Sequence, residues 1–86
     1  MKKTNSIQDT QIALAKEQKK TNIDWHKIEM LGSYFKFDNG ILLQCPMNAD
    51  GTRDTTPCEV EWERVEADDV DGRRLRAVAQ ALAANP

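Results

Sequence analysis

Two short apolar runs flank Asp38-Asn39-Gly40 in the stretch SYFKFDNGILLQ, from Ser33 to Gln44. An Asn-Gly or Asp-X-Gly step between alternating apolar residues is the strongest short-range signal for a β-hairpin. The hairpin can close in two ways. A two-residue Asn39-Gly40 turn pairs Phe37 with Leu42 and sets Ile41, Leu43 and Cys45 beside Lys36 and Asp38. A three-residue Asp38-Asn39-Gly40 loop, with Gly40 left-handed in a bulge, pairs Phe37 with Ile41. Phe35, Phe37, Ile41, Leu43 and Cys45 then share one face, and Tyr34, Lys36, Leu42 and Gln44 share the other. Because a slip of one residue flips every side chain, the cleaner segregation favours the bulged loop.

The rest of the chain supplies what such a hairpin needs to cover it. At 86 residues the chain is one small domain, 1–86, and nine of its apolar residues are alanines, so the core is thin. No apolar run is long enough to span a bilayer, and MKKTNSIQDT has two lysines without an apolar secretory core, so cytoplasmic residence is the expectation. Two cysteines in that setting, Cys45 and Cys58, are expected as free, buried thiols. A zinc site would need both of them, His26 and a fourth ligand without any CxxC spacing, so neither a metal nor another cofactor is expected.

Taken in order, Asn5 or Ser6 can cap a first helix, with Ser6 and Asp9 spaced like a capping box, running from about Ile7 to Lys20. Its lysines, Lys16, Lys19 and Lys20, read as a solvated helix end that suits the macrodipole. Asn22 can cap a second helix, Ile23 to Leu31, in which Trp25, Ile28 and Leu31 recur every three residues and Gly32 stops the run. An alternative starts the first strand early, at Ile28, with Gly32 as a bulge. Beyond the hairpin, PMNADGTRDTTP from Pro46 to Pro57 is rich in turn formers. Asn48, Asp50, Thr52 and Asp54 alternate oxygen-bearing side chains, but a calcium loop aligned on Gly51 would put Pro46 and Pro57 at its end ligand positions, which excludes it. A wide hairpin with Asp50-Gly51 at its tip is the simpler reading.

CEVEWERV, Cys58 to Val65, alternates as a third strand: Cys58, Val60 and Trp62 inward, Glu59, Glu61 and Glu63 outward, spaced roughly 6.7 Å apart. Asp68 then caps a last helix with Asp69 and Asp71 in its first turn. In that helix Leu75, Val78, Ala79 and Leu82 form the core stripe, and Arg73, Arg74, Arg76 and Gln80 are solvated. The fold class is therefore α+β: a small antiparallel three-stranded meander, α-α-β-β-β-α, covered on one face by helices. Phe35, Phe37, Leu43, Val60 and Trp62 are expected in one core with Leu75, Val78 and Leu82.

No nucleophile–histidine pair, phosphate-cradling glycine loop or HExxH is present, and an enzyme is not expected. Glu61 and Glu63 lack the burial that would set one carboxyl to acid work and the other to base work. His26 has no acid–nucleophile pair in register. Direct nucleic-acid binding is not expected either, because the net charge is −2 and no recognised reading motif is present.

Charge polarity is the distinctive surface feature. Residues 1–32 carry six lysines against four acids, whereas Glu59 to Asp71 holds seven acids and one arginine. Glu59, Glu61, Glu63, Glu66, Asp68, Asp69 and Asp71 form a negative track from strand to helix, of the kind that a lysine- and arginine-lined nucleic-acid groove attracts. In its order of parts the chain resembles small phage anti-CRISPR proteins, in particular the acidic inhibitors of type I surveillance complexes. The likeness lies in IALAKEQ in the first helix, the hairpin YFKFDNGILLQ and the helix start ADDVD at Ala67–Asp71. The resemblance implies an inhibitor whose acids, Asp68, Asp69 and Asp71 with Glu59, Glu61 and Glu63 beside them, compete with target DNA for basic residues of the complex. The sequence departs from that pattern in its basic N-terminal region and in the arginines of the last helix. A second expectation, of another class, is a structural or assembly module whose protein partner packs on an uncovered sheet face around Tyr34 and Leu42.

Overall fold

The computed structural model describes residues 7–86, with side chains from Thr10 onward. Its elements are α1 (Ile7–Glu17), β1 (His26–Ile28), a 3-10 turn (Glu29–Leu31), β2 (Ser33–Asp38), β3 (Ile41–Pro46), β4 (Cys58–Glu59), α2 (Trp62–Glu66) and α3 (Val70–Ala83). The α+β class stands, but the sheet has four antiparallel strands in the order β1-β2-β3-β4 rather than three. The proposed capping of the first helix by Asn5 or Ser6 lies outside the described residues. Among the described residues no helix is long and apolar enough to cross a membrane.

The hairpin closes by the two-residue turn, not the bulged loop. Asp38 pairs with Ile41 and Phe37 with Leu42, and Asn39 and Gly40 both take positive φ, 56° and 81°. Those are the signs of a type I′ turn, whose twist matches that of the strands it joins. Segregation does not select the register, because neither face of the hairpin is left to solvent. Alternation puts Phe35, Phe37 and Leu42 on the helix-covered face, where they are buried, and Tyr34, Lys36, Leu43 and Cys45 on the other. That second face is covered too. The tyrosine hydroxyl of Tyr34 donates to the Gly51 carbonyl. Arg53 reaches over the sheet, its guanidinium 4.6 Å from the Trp25 ring centre and 3.5 Å from Cys45 Sγ. Residues 47–57 thus form a strap over the sheet, closed on itself by a Met47–Arg53 bridge with Asp50-Gly51 near its tip. Cys45 is fully buried beneath it, while Cys58 is exposed, which corrects the expectation that both thiols are buried.

Residues 23–31 are not helical. Trp25, Ile28 and Leu31 recur every three residues, but the chain is extended through β1, with His26 opposite Phe35 and Ile28 opposite Ser33. Only at Glu29–Leu31 does it tighten into the 3-10 turn, which ends on left-handed Gly32. Ile28 and Leu31 then both reach the core, because a 3-10 turn repeats every three residues. Asn22 caps nothing at a helix start. It lies alongside Phe37, whose N–H and C=O point away from β3 because Phe37–Leu42 is a non-hydrogen-bonded pair. The Asn22 N–H donates to the Phe37 carbonyl at 2.9 Å, and the Phe37 N–H donates to Asn22 Oδ1 at 2.8 Å. Asn22 Nδ2 donates in turn to main-chain oxygens at the end of α3: Leu82 at 3.0 Å, Pro86 at 3.2 Å and Asn85 at 3.3 Å. One fully buried amide therefore ties the sheet edge to the last helix.

The core between sheet and helices holds Phe35, Phe37, Leu42, Val60, Val65 and Ile12 against Leu75, Val78, Ala79 and Leu82 of α3. The α3 stripe falls at the i, i+3, i+4, i+7 positions expected of it, and each Leu or Val so buried stabilises by about 1.5–3 kcal/mol. Leu43, expected in this core, lies on the strap side instead, displaced by the change of register. Gly40 brings the hairpin turn against the end of α1: its N–H donates to the Lys20 carbonyl at 2.9 Å, and a Cβ there would sit 2.7 Å from the Lys16 carbonyl oxygen.

Candidate functional site

The segment that carries the acids does not continue as a strand. After Cys58–Glu59 pairs with Gln44 and Leu43, Val60 donates once more, to the Leu42 carbonyl at 2.8 Å, and is buried. The chain then turns into α2. CEVEWERV contains both periods: Val60 and Trp62 alternate as in a strand, but Trp62 and Val65 are also spaced i, i+3. Glutamate and arginine are good helix formers and poor strand formers. Helical winding brings Val65 to full burial with Trp62 half-buried beside it, the indole stacked on Phe37 with ring centres 6.2 Å apart. The expected inward Cys58 is exposed.

Glu59, Glu61 and Glu63 consequently do not share a strand face. Glu59 sits on the edge strand, Glu61 at the residue preceding α2, and Glu63 with Glu66 on the exposed side of α2. Asp68 lies in the link to α3. All seven acids of the track are exposed, so the structure leaves the set on one continuous stretch of surface chain while removing its regular spacing. Two of them have internal work. Asp69, not Asp68, is the cap of α3, its Oδ1 accepting from the Gly72 N–H at 2.7 Å. Asp71 pairs with Arg64 at 2.9 Å. Among the described residues, Glu59, Glu61, Glu63, Glu66 and Asp68 make no ion pair.

The link between α2 and α3 is drawn tight by Gly72 and Arg76. A Cβ on Gly72 would collide with the Ala67 carbonyl. Arg76, expected in solvent, is half-buried and donates to the Val65 and Ala67 carbonyls at 2.7 and 2.8 Å. It satisfies the carbonyls that the short helix leaves free, as a cation at a helix C-terminus should. Arg73 and Arg74 are exposed as expected, and Gln80 reaches Gln11 of α1.

Between α1 and α2 runs an open groove of about 970 Å³, lined by Ile12, Ala13 and Glu17 on one side and Trp62, Val65 and Glu66 on the other. Lys16 lies over the Trp62 ring, 4.9 Å from its centre. Nothing in the sequence pointed to this groove, because it exists only once residues 62–66 are helical. The uncovered sheet face around Tyr34 and Leu42 is absent as such: Leu42 is core, and Tyr34 is on the opposite face under the strap. Among the described residues no three His, Cys, Asp or Glu side chains converge as a metal site. No protein-family model, curated protein or solved structure matches the chain.

Proposed function

We propose that this chain is a non-enzymatic inhibitor that binds a nucleic-acid-handling protein complex, of the type I CRISPR surveillance class, through the acidic surface of residues 59–71. The observation that carries the reading is that five carboxylates within ten residues, Glu59, Glu61, Glu63, Glu66 and Asp68, are exposed and engage no cation among the described residues. Like charges gathered this closely oppose folding modestly and are relieved when an opposite surface arrives. Two of the neighbouring cations are already engaged, Arg64 by Asp71 and Arg76 by main-chain carbonyls, while Arg73 and Arg74 are exposed on α3. The Arg64–Asp71 pair leaves those five carboxylates as the free charges of residues 59–68.

The test is competition between this protein and target DNA for a purified type I surveillance complex, at two ionic strengths. The wild-type chain should displace DNA, and less so at high salt, where exposed charges are screened beyond roughly 8–10 Å. Replacing Glu59, Glu61, Glu63 and Glu66 together by glutamine should leave the fold intact and abolish displacement. A glutamine variant that competes like the wild type would show that the acids are only a solvated surface.

A further inference from the structure

We infer that the groove between α1 and α2 is the apolar half of the same interface, and that it takes a short amphipathic helix of the partner bearing arginines beside its apolar face. This rests on the acidic-surface reading and adds to it a shape and an anchor. The groove floor is apolar, from Ile12 and Val65, with the half-buried Trp62 indole at its wall. Tryptophan held in this way, part packed and part offered to solvent, is the side chain most often found at the energetic centre of an interface. Glu17 and Glu66 stand exposed on opposite rims, and Glu66 continues into Glu63 on α2. The cations of the groove are not paired with these glutamates, since Lys16 is seated over the Trp62 ring and Arg76 on the carbonyls of Val65 and Ala67.

The form of the occupant follows from the walls. Both walls are helices and neither is a strand edge, so an extended peptide would find no ladder to join, whereas a helix needs none. The α1 wall offers Thr10, Ala13 and Glu17, spaced i, i+3, i+7 along one side. That length, on the order of 10 Å, admits about two turns of a partner helix. Apolar side chains at i, i+3 and i+7 of that helix would enter the groove, and arginines flanking them would reach the glutamates on the rims.

The probe is a synthetic 14-residue helical peptide of about four turns with leucines at i, i+3 and i+7 and arginines on either side. It is titrated into the isotope-labelled full chain, with a Trp25→Phe variant assigning the indole signals. Saturable shifts of the Trp62 indole N–H and the Ala13 amide are expected. Ala13 is exposed on α1, so Ala13→Trp fills the groove without touching the core and should weaken binding by about tenfold or more. Ala13→Arg, which repels the probe instead of filling its place, should do the same, and circular dichroism of both variants checks the fold. Replacing the peptide arginines by glutamine should also weaken binding by at least about tenfold. Equal binding by Ala13→Trp, with shifts confined to Glu59–Asp68, would overturn the groove while leaving the acidic surface standing. Failure of a leucine-free arginine peptide to bind anywhere on residues 59–71 would instead remove the reading beneath it. Movement of the Trp62 indole with the chain's own concentration, in the absence of peptide, would make the occupant a second copy and likewise overturn the proposal.

Discussion

Asn22→Ala is the substitution that tests the architecture most directly. The side chain is fully buried, and its amide joins two elements that otherwise share only apolar contacts. Removing it strands the Phe37 N–H, which has no alternative on β3 because of the pairing phase. The Leu82 carbonyl in the last turn of α3 loses a donor but keeps the Asn85 N–H at 3.2 Å. An unsatisfied buried donor or acceptor costs about 1–3 kcal/mol. The Asn85 and Pro86 oxygens are near enough to solvent to turn to water, so the Phe37 N–H bears the loss, about 1–3 kcal/mol. The whole domain has roughly 4–13 kcal/mol at its size, so urea denaturation followed by far-ultraviolet circular dichroism should show a midpoint shifted by a large fraction of its value. Asn22→Asp separates the two halves of the amide. It keeps an acceptor for Phe37 but aims a carboxylate at three main-chain oxygens, and burial raises its pKa. The folded state then binds the extra proton more tightly than the unfolded one. The variant should therefore be least stable at neutral pH and gain stability as pH falls toward the ordinary aspartate value of about 3.9. A loss below about 0.5 kcal/mol for Asn22→Ala, the scale of an ordinary surface change, would refute the keystone role.

Three further outcomes follow from particular contacts. Gly72→Ala, which in an open helix gains about 1 kcal/mol from propensity, should here lose about 1–3 kcal/mol, because the new methyl meets the Ala67 carbonyl; thermal unfolding reads the sign. Native protein treated with iodoacetamide should take one adduct, at Cys58, and a second at Cys45 only on unfolding, as intact mass will show, given their burial. The Asp50 carboxyl, held below its usual value by the Thr52 hydroxyl and then the Thr52 N–H, should titrate below about 3.9 by carbon NMR. Thr52→Val should move that midpoint upward, and the small stabilisation it confers on the strap is present above the ordinary value and fades as pH falls through the depressed one.

What the sequence shows, and what it hides, divides along a physical line. The α3 stripe was legible because Leu75, Val78, Ala79 and Leu82 repeat at 3.6 over a helix long enough for the pattern to be unambiguous. The hairpin was legible as a hairpin, since Asn39-Gly40 is a local signal. Its register was not, because that depends on a distant segment: residues 47–57 bury Cys45 and shield Leu43, so both faces accept apolar side chains and alternation no longer discriminates. Short segments failed for a related reason. Eight residues from Cys58 to Val65 satisfy a period of two and a period near three about equally, and burial of Val65 decides for the helix. Asn22 matches the commonest role of its residue type, a helix cap, whereas its partners lie 15 and 60 residues away. The acids were visible as a set, but their arrangement was inherited from the strand that did not form.

That rearrangement changes what the acidic surface can demand of a partner. A strand would have held Glu59, Glu61 and Glu63 as a comb with a repeat of roughly 6.7 Å, able to match one ladder of cations and no other. Instead, Glu63 and Glu66 are one helical turn apart, about 4.5 Å in rise, Glu61 precedes the helix and Glu59 belongs to the sheet edge. No fixed repeat survives, so attraction should depend on how many charges lie within a Debye length, about 8–10 Å, and little on which ones they are. Single glutamine substitutions at Glu59, Glu61, Glu63 and Glu66 should then weaken binding to the proposed partner, a type I surveillance complex, by similar small factors that multiply when combined. Arg64 provides the opposite perturbation. Its pair with Asp71 is exposed, 51% and 59% by side chain, so it contributes only about 0–1 kcal/mol to folding. Arg64→Gln removes the single cation between Glu59 and Asp71 and releases one more carboxylate, so it should tighten binding where every glutamate substitution loosens it. Dissociation constants for the five single variants, measured at one low ionic strength, decide the matter. If one glutamate accounts for nearly the whole loss, or if Arg64→Gln weakens binding, charge density is not what the partner reads and a specific contact must replace it.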